Sequence, residues 1–65
     1  MQTLKEAREA RGIKQKAVAN ALQVSRQTYS NYEKNPDTMP VFRAKAACSF
    51  IGCDINEIFF SSGVS

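Results

Sequence analysis

The residues best equipped for chemistry lie in the middle of the chain. Arg26, Gln27, Ser30, Asn31 and Lys34 follow one another at i, i+1, i+4, i+5 and i+8, which places them on one face of a helix, with Tyr29 and Tyr32 on the other. A guanidinium, two carboxamides, a hydroxyl and an ammonium make an array of hydrogen-bonding groups carried on one rod. Such an array recognises polar edges and breaks no bonds. Catalysis would require a nucleophile beside a base, and the chain has no histidine, no paired carboxylates at a plausible site and no phosphate-binding glycine loop. The sequence therefore predicts no enzyme, no cofactor and no metal site.

Two helices must position this face. The stretch from Gln15 to Tyr32 spells a pair of short helices joined by a tight turn. Helix 2, roughly Gln15 to Leu22, is rich in alanine, which favours helix and lets a neighbouring backbone come close. Ala19 faces the turn at mid-helix, where a larger side chain would push the next helix away, although helix propensity alone also accounts for one alanine among several. Gln23 must take the bend, and Ser25 is a good N-cap for helix 3, Arg26 to about Lys34. The packing set is Ala17, Val18, Ala19, Ala21, Leu22, Val24, Tyr29 and Tyr32.

The flanking segments supply the rest of a core. Thr3, Leu4, Lys5 and Glu6 form a Thr-x-x-Glu capping box, which starts a first helix. That helix runs to about Arg11, with Leu4, Ala7 and Arg8 on one side and Gly12 as its left-handed stop. Asn35, Pro36, Asp37 and Thr38 form a loop, because a residue before proline is driven out of helical geometry. Helix 4 begins near Met39 or Pro40 and ends at Gly52, with Val41, Ala44, Cys48 and Ile51 spaced as a core stripe. Asp54 caps a short fifth helix whose Ile55, Ile58 and Phe59 close the core. With no alternating strand pattern and no repeat, the prediction is an all-α chain of about five helices. Residues 1–60 form one domain and 61–65 a flexible tail.

Composition narrows the function further. Sixty-five residues make one small domain, near the lower limit for burying enough apolar surface without metals or bridges. The net charge is +3 and uneven: residues 1–16 carry Lys5, Arg8, Arg11, Lys14 and Lys16 against Glu6 and Glu9, while residues 51–65 carry only Asp54 and Glu57. That bias suits a protein offering one side to a polyanion, although ordinary solvated helix charge explains it equally well. Cys48 and Cys53 sit in apolar surroundings, so buried reduced thiols are expected rather than a disulfide or zinc site. A reducing, cytoplasmic setting follows. No apolar run is long enough to span a bilayer, and the N-terminus has no signal-peptide core.

At this point the residues carry a resemblance. LKEAREARGIKQKAVANALQVSRQTYSNYEKN, followed by AKAACSFIGCDINEIFF, resembles the lambda-repressor-like Cro/CI (XRE) family of helix-turn-helix domains across nearly the whole chain. The specific parts are Arg-Gly-Ile before a Gln-x-x-x-Ala helix, the Val-Ser-Arg-Gln-Thr start of the next helix, and the closing Ile-Gly-Cys-Asp-Ile-Asn-Glu-Ile-Phe. The family usually has glycine where this chain has Gln23, and often alanine where it has Cys48. The resemblance implies a compact five-helix domain and a transcriptional regulator, a Cro-like repressor of phage or bacterial origin acting on operator DNA.

Elementary recognition chemistry agrees. A helix of about eight residues is roughly 12 Å long and fits a major groove of about that width. Arg26 can donate two parallel bonds to guanine, while Gln27 and Asn31 can each pair a carboxamide with adenine. The resemblance places these three at base edges, with Ser30 a lesser candidate. Lys14, Gln15 and Lys16 at the start of helix 2 suit phosphate, which helix N-termini attract. By resemblance, Ser25, Thr28, Lys34 and Asn35 contact backbone oxygens on the other side, with simple capping an equal alternative for Ser25 and Thr28. The family also pairs an arginine matching Arg8 with a glutamate matching Glu33. Phe42, Phe50 and Phe60 mark a partner surface for a homodimer or a partner repressor, or else complete the core. The rival function is a protein-interaction module on the same fold that modulates another repressor or a toxin through this apolar C-terminal surface.

Overall fold

The computed structural model describes residues 3–60. The tail expected at 61–65 lies outside the described residues, as do the side chains of Phe59 and Phe60 and the expectations placed on them. The order is α1 (Leu4–Ala10), α2 (Gln15–Leu22), α3 (Arg26–Lys34), a single 3-10 turn (Pro36–Thr38), α4 (Val41–Ile51) and a closing π-helical turn (Asn56–Phe60). No strand occurs among the described residues. The fold is all-α.

Several segment starts are specified by local side-chain chemistry. Thr3 accepts from the Glu6 backbone while the Glu6 carboxylate accepts from Thr3 N, at 3.0 and 2.8 Å, so the capping box is complete. The Ser25 hydroxyl accepts from Thr28 N at 3.1 Å and opens α3. Asn35 is held out of helical geometry before Pro36, and Thr38 then donates back to the Asn35 carbonyl through both its backbone N–H and its hydroxyl. The Asp54 carboxylate accepts from Asn56 N at 2.9 Å. The short fifth helix follows, wound as one wide π turn over Asn56–Phe60.

Three helix ends share one solution. After α1, α2 and α4 the chain passes through a left-handed residue, Gly12, Gln23 and Gly52 respectively. The next residue in each case donates back five positions: Ile13 to Arg8, Val24 to Ala19, Cys53 to Cys48, at 3.2, 3.0 and 2.9 Å. This is the Schellman motif, which turns the residue after the left-handed one inward. Ile13, Val24 and Cys53 accordingly pack, half-buried, against the core. The turn between α2 and α3 is thus a helix stop reused as a corner.

At that corner Gln23 has φ 60° and ψ 40°, a conformation that costs a side-chain-bearing residue about 1–2 kcal/mol relative to the right-handed form. Gln23→Gly is expected to raise stability by about 1 kcal/mol, part of the relief being offset by glycine's greater freedom when unfolded. A higher urea midpoint at unchanged slope is the expected measurement; a lower midpoint would mean the glutamine side chain stabilises the corner.

Helix α2 packs on both α3 and α4, so its buried face, Val18, Ala19 and Leu22, sits at the centre. Around it lie Leu4 and Ala7 from α1, Tyr29 and Tyr32 from α3, and Ala44, Ala47, Cys48 and Ile51 from α4. Two expectations need correction. Val41 is 60% exposed rather than the first member of the α4 stripe, because it sits on the opening turn, before the chain has rotated onto the core. Met39, from the segment preceding α4, is buried and supplies the apolar side chain at this end. Ala21 is exposed, not packed. Both cysteines are free thiols, Cys48 buried and Cys53 half-buried. Burial first, and then the neighbouring Cys53, push the Cys48 thiol up to about 12, so it behaves as a small apolar group.

Candidate nucleic-acid interface

The α3 helix divides as its sequence pattern demands. Tyr29 and Tyr32 are buried beneath it, while Arg26, Gln27, Asn31 and Lys34 are exposed on the outer side and Ser30 is half-buried between them. Gln27 Nε2 donates to Asn31 Oδ1 at 3.2 Å. The two carboxamides are therefore one unit in the free protein, joined through the Gln27 amide and the Asn31 oxygen. Sequence spacing places them one turn apart, but treating each as an independent reader overlooks this bond.

Groups flanking α3 fall into two kinds. Lys14, Lys16, Lys34 and Asn35 are exposed, and Lys14 occupies the N-cap position of α2 without a side-chain cap. Ser25 and Thr28 are engaged with each other, the Ser25 hydroxyl donating to Thr28 Oγ1 at 2.9 Å besides capping α3. Gln15 belongs to the interior network, since its Nε2 donates to Glu33 Oε1 at 3.0 Å. One N–H of that amide is spent on Glu33.

Beneath α3 lies a buried ion pair. Arg8 Nε donates to Glu33 Oε2 at 2.6 Å and Nη2 to Oε1 at 3.2 Å, while Nη1 reaches the Ile13 carbonyl at 2.8 Å. One guanidinium thereby joins α1, the α1–α2 connection and the end of α3, and Gln15 adds α2 to the same carboxylate. Both side chains are almost closed to solvent. Of the five N-terminal cations noted from sequence, Arg8 is thus unavailable to a polyanion, and Arg11 is turned to the Gly52 carbonyl at 2.9 Å, closing the end of α4.

Burial alone would raise the Glu33 carboxyl, but hydrogen bonds from Arg8 and Gln15, the nearby Tyr29 hydroxyl and the Arg8 charge hold it below its ordinary 4.5. The Tyr29 hydroxyl is fully enclosed and sits within Glu33's influence without a well-formed hydrogen bond. Its burial, then Glu33, push the phenol well above its ordinary 10.0. The depressed carboxyl contributes stability that is whole above pH 4.5 and is lost as pH falls through the folded value. Thermal melts should show a steeper acid decline for the wild type than for Glu33→Gln below pH 4.5. Parallel curves would mean Glu33 titrates normally. The raised phenol gives the opposite sign, with stability lost only as pH climbs above 10.0.

A family model described as helix-turn-helix matches residues 4–58. The chain belongs to the Cro/CI-type (XRE) helix-turn-helix family. No curated protein and no solved structure matches it. Membership makes the chain a DNA-binding transcription-regulator domain, with double-stranded DNA as its partner. No helix among the described residues is long and apolar enough to cross a membrane.

Within this helix-turn-helix domain the sequence pattern overlooks three positioning residues. Arg11 seals α4; Met39 fills the core beside α3; Arg43 Nη1 donates to Tyr32 Oη at 2.9 Å and steadies α3 from α4. Arginine spacing carries no signal for such long-range caps. Phe42 and Phe50 are 66% and 48% exposed, and the Arg43 guanidinium lies over the Phe42 ring, 5.2 Å from its centre.

Proposed function

We propose that the domain is a sequence-specific, Cro-like repressor of phage or bacterial type that works in the cytoplasm, laying α3 in the major groove of an operator. The observation that carries this reading is the division of α3, with Arg26, Gln27 and Asn31 exposed above a buried pair of tyrosines. Arg26 pairs with guanine, and the joined Gln27–Asn31 carboxamides with adenine, Ser30 lying beside them. Lys14, Lys16, Lys34 and Asn35 hold phosphates on the two sides, assisted by the remaining Gln15 N–H and the hydroxyls of Ser25 and Thr28; such contacts orient without specifying. Two copies on consecutive half-sites would set their α3 helices roughly 34 Å apart.

Salt titration of duplex binding tests the reading. With about three phosphates neutralised per copy, affinity should fall about 40-fold between about 50 and 200 mM salt. Affinity insensitive to salt would contradict it. The exposed Phe42 and Phe50 favour one second reading, a protein-interaction module that modulates another repressor or a toxin. In that case Arg26→Ala leaves activity intact and Phe50→Ser abolishes it.

A further inference from the structure

A second face of α2 is unexplained by the groove-reading account. An open depression of about 590 Å³ lies between the α1–α2 connection, α2 and the end of α4. Ile13, Ala17 and Phe50 supply its apolar lining, and Lys14, Lys16 and Asn20 line it as well. Among the described residues no carboxylate lines it. Phe50 precedes the buried Ile51 on α4, so its ring is turned away from the core and left 48% exposed beside α2. Single exposed apolar residues are ordinary, but a phenyl ring, an isoleucine and an alanine joined into one concave surface with two lysines are not.

We infer that this depression docks an acidic segment of another protein that presents one aliphatic or aromatic side chain, and that its occupation excludes DNA. The chemistry of the partner follows from the lining. Two ammonium groups with no opposing carboxylate favour an anion, and the apolar part favours a side chain that desolvates Phe50 and Ile13. The depression is open and cannot enclose most of a small molecule's surface, as a metabolite site would. A chain lying across it can still bury its one apolar side chain and face carboxylates to both lysines. The exclusion of DNA rests on the proposed function: Lys14 and Lys16 are the cations assigned there to phosphate, so acidic segment and DNA backbone compete for the same charges.

The test is a titration of isotope-labelled protein, followed by backbone amide shifts, with three synthetic peptides. The first is rich in aspartate and glutamate around a leucine–phenylalanine pair; the second has that pair replaced by serines; the third keeps the pair but carries glutamines for the acids. The first should shift Ile13, Lys16, Ala17, Asn20 and Phe50 and release a bound duplex, and the other two should bind at least about tenfold more weakly. Phe50→Ser should weaken the first peptide by a similar factor and leave duplex affinity unchanged, since the Phe50 ring carries neither a charge nor a hydrogen-bond donor for phosphate. Equal binding by the serine peptide, shifts confined to the outer face of α3, an unchanged spectrum, or a peptide seated in the depression beside a still-bound duplex would each overturn the inference. Titration without DNA reads the docking alone, so a failure to bind duplex removes the proposed function and is distinguishable from a failure to dock.

Discussion

Arg8→Ala will cost the domain about 3 kcal/mol or more of folding stability, because it leaves the Glu33 carboxylate buried without its cation. The Glu33 side chain is only 3% exposed, and Arg8 holds it with two hydrogen bonds while satisfying the Ile13 carbonyl with a third. After truncation only the Gln15 amide and the neighbouring Tyr29 remain beside the charge. The second ion pair of Arg8, to Glu9 at 4.0 Å with Glu9 57% exposed, is too solvated to matter in this balance. In a domain this small the loss is a large share of the total, and a midpoint lower by about 15 °C is expected in a thermal melt followed by circular dichroism. Arg8→Met combined with Glu33→Leu should recover much of it, since a well-packed apolar pair commonly equals a buried ion pair. An unchanged melt for Arg8→Ala would show that the pair is well hydrated in solution and that α3 is held by packing alone.

The second large effect concerns DNA. Arg26→Ala should weaken binding to the preferred duplex by about 1–3 kcal/mol, the worth of one bidentate contact to a base, and relax the preference at a single position. Lys34→Ala should weaken all duplexes alike and flatten the salt dependence, as loss of a phosphate contact does. The carboxamide pair adds a sharper expectation. Because Gln27 donates to Asn31 at 3.2 Å, each orients the other, and removing either should disturb both. Gln27→Ala and Asn31→Ala together should then cost less than the sum of the single losses, by about 0.5 kcal/mol or more. Strict additivity, measured by fluorescence anisotropy on one operator, would show that the two side chains separate on binding.

Much of the fold was legible because the chain states its helix ends in local chemistry. Thr3 with Glu6, Ser25, Asn35 before Pro36, and the glycines at 12 and 52 each act over a few residues, so their meaning survives without knowledge of the rest. Gln23 was legible only by necessity: something had to take the bend between two helices, and the left-handed backbone there confirms that it is this residue. Val41 was misplaced because helical spacing alone cannot say where a helix first meets its neighbours. The short closing helix was legible from Asp54 as its cap and from Ile55 and Ile58, which pack against the core. For the candidate interface, spacing indicated which side chains share the outer face of α3. It could not show that Gln15 is drawn to Glu33, that Arg11 is committed to α4, or that Gln27 and Asn31 are joined, since each depends on where a long side chain comes to rest.

The central claim is that the outer face of α3 selects a DNA sequence. Selection from a pool of random duplexes with the purified chain, repeated with Asn31→Ala, measures it most directly. The account predicts a short half-site consensus for the wild type, relaxed at the position or two served by the Gln27–Asn31 pair in the variant. An identical consensus from both proteins, or no enriched sequence from either, would contradict it.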